Sequence, residues 1–278
     1  METKRKILIE IMVFLSLTSV FSILAYLPII SPRSIHTGPK NQTGVLMLVP
    51  GLAAVITYIV FEHSLKPIGW QLGKVSYLIA GLIIPIIYCF LEYGLVWLSG
   101  LGKYNGNFPP NFAVFLLSML INGCLSAVLE ETGWRGFLVP KLIKITSFPK
   151  TALITGFIWA IWHYPLIIYS YDQSSTFPLS SRLICFTIFV VGLSFAATWL
   201  RLQSGSVWAA SILHGSHNVF MLYIFNVLTN NAGNTWLYVS ETGVLTAIIG
   251  LMLGIIFWSM RTQSTGTSLS RLNVPITE

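Results

Sequence analysis

Glu130, Glu131 and Arg135 stand within six residues of one another in AVLEETGWRGFLVP, Ala127 to Pro140. On a helix, residues four apart share a face, so Glu131 and Arg135 can pair, while Glu130 is turned about 100° away and stays able to accept a proton. Two further groups follow: His163 in FIWAIWHYP, and His214 with Asn218, four apart on one face, in SILHGSHNVF. Together they are what peptide-bond hydrolysis requires. A carboxylate takes a proton from water and makes it a nucleophile, and imidazole and amide donors stabilise the oxyanion formed at the attacked carbonyl. Plainer readings stand beside this one: a salt bridge that ties helices together, a hydrogen-bonded packing histidine, or a polar stripe between helices. His217 lies about 100° around the helix from Asn218 and is left outside the set.

Other hydrolytic chemistries have less support. The chain has no G-x-S-x-G motif for a serine nucleophile and no HExxH motif for a zincin. A metal held by Glu130, His163 and His214 from three helices remains chemically open, with zinc the candidate ion, and the water-activation reading needs no cofactor.

The elements that must position these residues are membrane helices. Of 278 residues, 54% are hydrophobic and 9% charged, and the mean hydropathy is +0.75, whereas an ordinary soluble domain is about 25% charged. A bilayer core about 30 Å thick takes roughly 20 apolar residues per helix. Eight stretches approach that: 7–30, 44–61, 75–98, 111–129, 151–171, 183–200, 206–228 and 243–260. The fourth is expected to continue through the glutamate pair into GWRGFLVP. The apolar run after METKRK is too long for a typical signal-peptide core and is read as a retained first span. The linker Leu65 to Lys74 is expected along the membrane interface. Trp70, Trp97, Trp199, Trp208, Trp236 and Trp258 fall near span ends, where indoles favour the headgroup boundary.

With these spans, twelve Lys and Arg residues fall on one side and four (Arg33, Lys40, Lys103 and Arg182) on the other. The positive-inside rule then sets both termini in the cytosol. The net charge of +7 is explained by orientation, and no nucleic-acid partner is expected. In this topology Glu130 lies about 28 Å along its span, His163 roughly 18 Å and His214 roughly 12 Å along theirs from the cytosol, so the three can meet in one half of the bilayer. Cys89, Cys124 and Cys185 share no CxxC spacing and are read as reduced packing residues. The ending NVPITE has no cysteine, so this chain is not expected to be prenylated. Glu92 can pair with a site residue or gate substrate, with a structural hydrogen bond the preferred plain reading, and Glu10 is expected to pair with Lys6.

EETGWR fits the pattern EExxxR, His163 occupies a second histidine motif, and His214 to Asn218 fits HxxxN. In this order and helical setting the trio resembles the CPBP family of intramembrane proteases, which comprises type II CAAX prenyl proteases and bacteriocin-processing or immunity enzymes. The resemblance covers about Asn111 to Leu228. It implies an all-α polytopic membrane protein with a conical intramembrane catalytic core, divided into helices of 1–110, a catalytic core of 111–228, and a last helix and cytosolic tail of 229–278. It also implies an endopeptidase of a bacterial cell membrane, surrounded by lipids and acting on a peptide or a prenylated protein. Glu130 would activate water, His163, His214 and Asn218 would bind and stabilise the transition state, and Glu131 with Arg135 would support them. One departure stands out: the family's second motif is FxxxH, and here Trp159 stands four before His163, with Phe157 six before. Two other classes fit the same polar core: a catalytically silent immunity or scaffold protein, and a proton-coupled transporter. Neither repeated halves nor paired broken helices, which a transporter would favour, are found.

Overall fold

A computed structural model describes residues 3–29, 43–108, 110–171 and 176–262. Arg33, Lys40, Arg271, the NVPITE ending and Ile30 of the first expected span lie outside the described residues. Helices α1 (Lys4–Ile29), α2 (Thr43–Glu62), α3 (Val75–Leu98), α4 (Phe112–Gly133), α5 (Phe148–Tyr169), α6 (Leu179–Ser204), α7 (Val207–His217), the one-turn α8 (Thr235–Tyr238) and α9 (Val244–Ser259) account for nearly all regular structure. All eight expected spans therefore correspond to helices. Six are long and apolar enough to cross a membrane, while α9 is a shorter apolar helix. The protein is an all-α polytopic membrane protein. A minor β element was not foreseen: Gly102–Tyr104 (β1) and Thr229–Asn231 (β2) pair antiparallel, with Lys103 opposite Asn230.

Two helices widen where they carry polar motifs. Helix α4 runs on through a π-helical segment, Trp134–Leu138, into Val139–Leu142, and α7 runs on through a second, Asn218–Phe225. The fourth span thus extends past the glutamate pair as expected, to 31 residues, or about 46 Å, longer than the hydrocarbon core. Such single wide turns occur often at functional positions.

Packing follows from which faces are small. Helices α6 and α9 cross where a Cβ at Gly192 would overlap the carbonyl of Gly250, the close approach that small residues allow in membranes. Helix α4 lies against α2 at Gly133, where a Cβ would come 2.6 Å from that of Pro50. Helix α1 lies on α2, α3 on α7, and α5 on α6, and side chains from Ile7 to Phe257 share one core. Lipid-facing positions such as Leu117, Ile121 and Leu125 on α4 stay exposed.

Several expectations need revising. The linker of 65–74 is not simply laid on an interface: Ile68 is fully buried, and Arg201 Nη2 donates to the carbonyls of Pro67 and Ile68. Trp199 is buried against Tyr77 and Phe257, so it is core, not belt, while Trp70, Trp236 and Trp258 are exposed. Arg135, Lys141 and Arg201, three of the twelve orienting cations, are buried and held by protein groups. Glu10 pairs with Lys6 at 3.5 Å as expected, and also with buried Lys141, which bridges to Glu62. Thr246 donates to Glu92, the structural bond expected there. Cys89, Cys124 and Cys185 are free thiols.

Candidate active site

Helix α4 supplies both glutamates from consecutive positions, and they take different surroundings. Arg135 Nη1 donates to Glu131 Oε1 at 2.9 Å, with both side chains fully buried. His214 Nδ1 donates to the same oxygen at 3.1 Å. Glu131 therefore joins α4 to α7 and fixes the imidazole of His214. Glu130, 2% exposed, makes neither contact. Its Oε2 accepts from Trp159 Nε1 at 3.0 Å and stands 3.9 Å from His163 Nε2.

Trp159 is the hub of the arrangement. Besides holding Glu130, its carbonyl accepts from His163 Nδ1 at 3.1 Å. Its ring lies edge-on to His214 with centroids 5.0 Å apart, and the Arg135 guanidinium sits 4.4 Å from its centroid, a cation–π distance. Phe157, the other aromatic upstream of His163, is 48% exposed on the outer surface and takes no part. The departure from FxxxH thus adds an N–H donor at the carboxylate, which phenylalanine lacks.

Neighbouring helices brace this centre. Tyr26 on α1 donates to the carbonyl of Trp162 at 2.6 Å, and Trp162 Nε1 donates to Ser22 at 2.7 Å. The ring of His163 is flanked by Trp162 and Phe186, yet its side chain is 19% exposed, far more open than that of Glu130. Of the two, His163 is the more open side of the centre.

Six of the seven expected site residues, Glu130, Glu131, Arg135, Trp159, His163 and His214, form one connected cluster. Asn218 sits at its rim. Its Nδ2 reaches the Gly123 carbonyl at 3.4 Å and Ser126 Oγ at 3.5 Å, with no bond to either glutamate. Among the described residues, no three His, Cys, Asp or Glu side chains are arranged to hold a metal ion.

Sequence reasoning missed a second polar chain beside the first. His217 accepts from or donates to Tyr88 Oη through Nδ1 at 2.7 Å, and its Nε2 donates to Glu241 Oε1 at 3.3 Å. The only signal was one more carboxylate in a short polar loop.

This fold and centre define a multi-pass helical membrane protein with a buried carboxylate–histidine site. Residues 112–220 match the family model described as type II CAAX prenyl endopeptidase Rce1-like. Over 159 residues the chain is 27% identical to CAAX prenyl protease 2 of Methanococcus maripaludis, covering 54% of each. Over 233 residues it is 22% identical to Lysostaphin resistance protein A of Staphylococcus epidermidis, covering 78% of this chain and 56% of the relative. The chain spans little more than half the length of these curated relatives. Over this core the chain is similar to the CPBP family of intramembrane proteases.

Proposed function

We propose that the protein is an intramembrane endopeptidase in which Glu130 activates water. The observation that carries this reading is the division of labour between adjacent carboxylates. Glu131 is occupied by Arg135 and His214, while Glu130 faces His163 across 3.9 Å, a gap that a bridging water fits. Glu130 takes the proton as the water oxygen attacks the scissile carbonyl, then returns it to the leaving amine. His163, with Nδ1 donating to the Trp159 carbonyl, turns Nε2 toward the water. His214, doubly protonated with Nδ1 donating to Glu131, donates from Nε2 to the oxyanion, with Asn218 as the amide donor at the rim. No step in this scheme uses a metal.

The substrate is a membrane-associated peptide or a prenylated protein of CAAX type, reached from the cytosolic face. The nine remaining basic residues on that side support this orientation, which places both termini in the cytosol of a bacterial cell. One relative is named a protease, and another is named for lysostaphin resistance, so a silent immunity role is the second reading.

Comparing purified wild type with Glu130→Gln and Glu130→Ala separates them. Loss of turnover with an unchanged melting temperature is expected. Full activity in both variants would sink Glu130 as the base. Resistance phenotypes that persist in both variants, without cleavage by wild type, would favour the silent role.

A further inference from the structure

The second polar chain ends at a carboxylate that the proposed mechanism does not use. Glu241 comes from the short turn between α8 and α9. Val239 is fully buried, and the Gly243 N–H donates to the Ser240 carbonyl at 2.8 Å, so the turn is fastened on both sides of Glu241. Its Oε1 accepts from His217 Nε2 at 3.3 Å, and His217 is itself held by Tyr88 Oη at 2.7 Å. A carboxylate can accept about four hydrogen bonds. Among the described residues this one has a single donor and no Lys or Arg partner, and its side chain is 36% exposed.

The carboxylate stands beside the histidines of the proposed centre. Phe186 and Phe189, three apart on α6, share a face. The ring of His163 lies 5.6 Å from that of Phe186, and the ring of His217 lies 4.9 Å from that of Phe189. The two imidazoles therefore line up along one helix. Glu241 is near enough to His163 and His214 to interact with both electrostatically. The exposed edge of Glu241 thus adjoins the open side of the centre at His163.

A carboxylate that bonds into a membrane helix bundle with no Lys or Arg beside it is costly and points to a function. A positive charge brought by a ligand would supply the partner that the chain lacks. We propose that Glu241 determines specificity by receiving the lysine or arginine side chain of a peptide substrate near the scissile bond. This rests on the reading of the centre as a peptidase, and it narrows the substrate class to peptides with a basic residue close to the cut.

Binding and cleavage are measured in parallel, with the full chain in phosphatidylcholine nanodiscs. The probes are fluorescent, acyl-anchored peptide libraries that are identical except for lysine, glutamine or glutamate at one central position. Binding is read in the Glu130→Gln protein, alone and combined with Glu241→Gln or Glu241→Lys. Cleavage is read in wild type and Glu241→Gln. The Glu130→Gln protein should bind the lysine library about 10-fold more tightly than the glutamine library, the low end for a hydrogen bond to a charged group. Glu241→Gln keeps an acceptor for His217 and should bring that ratio near one at an unchanged melting temperature. Glu241→Lys should turn the preference toward glutamate, a reversal that a purely structural Glu241 would not give. In wild type the lysine preference should appear in KM more than in kcat. A lysine preference in binding without cleavage of any library would keep the cation receptor and sink the peptidase reading. Cleavage or binding that ignores the lysine, or binding of no library, would overturn the proposal. So would loss of the preference when phosphatidylethanolamine replaces phosphatidylcholine, which would give the carboxylate to a lipid ammonium.

Discussion

Trp159→Phe restores the aromatic residue the family uses four positions before the histidine, so it asks what the indole adds. The substitution keeps the backbone carbonyl that holds His163 and an aromatic face for Arg135. It removes the N–H that donates to Glu130 Oε2 at 3.0 Å. A hydrogen bond to a charged group contributes about 1.5–3 kcal/mol. If that loss falls on the placement of the Glu130 carboxylate, kcat/KM drops by about 10- to 150-fold, a factor of ten for each 1.36 kcal/mol. Trp162→Phe is the matched control. It too removes an indole N–H beside His163, but that group donates to the neutral Ser22 hydroxyl at 2.7 Å, worth about 1 kcal/mol of stability. The assay is cleavage of a fluorogenic peptide that wild type turns over, with melting temperature read in parallel. The reasoning fails if Trp159→Phe stays within twofold of wild type, or if Trp162→Phe loses as much activity at equal stability.

Glu131→Gln leaves the Arg135 guanidinium buried without its carboxylate and should destabilise the fold by about 3–5 kcal/mol. Glu131→Gln/Arg135→Met should recover much of that in a denaturant titration while remaining inactive, since His214 loses its anchor. Lys141→Met removes the buried cation that Glu10 and Glu62 share, and a similar loss, about 3–5 kcal/mol, should appear in the same titration. Gly192→Ala should abolish the α6–α9 contact and the yield of folded protein. Gly254→Ala, whose Cβ would lie 3.7 Å from Gly192 Cα, should express normally by size-exclusion profile.

How much of this was legible in the residues depends on the range of the interaction. Apolar runs of membrane length placed every labelled helix but the one-turn α8, because lipid leaves the backbone few alternatives. The i, i+4 spacing of Glu131 and Arg135 identified their pair, because both partners sit on one helix. What the sequence left hidden involved partners from different helices. His214 was expected beside Glu130, but it bonds Glu131, since the crossing of α4 and α7 decides which oxygen it meets. In the sequence Trp159 is only a departure from FxxxH, and in the fold its N–H donates directly to the Glu130 carboxylate. Arg201 was counted as a loop charge that orients the chain, yet it is buried and fastens the 65–71 loop to α4. Lys141 looked like an interfacial cation until α1 and α2 brought it two glutamates.

The wide turns at Trp134–Leu138 and Asn218–Phe225 have a consequence for length change. Each follows directly after a polar cluster, Glu130–Glu131 in one case and His214–His217 in the other. A π-helical turn holds one residue more than the α-helix around it. A single-residue deletion inside either segment can therefore be taken up by rewinding to ordinary α-helix, without rotating the glutamates or histidines upstream. These are the places where the chain tolerates slippage, and they uncouple the register of the membrane-crossing halves from the aim of the side chains between them.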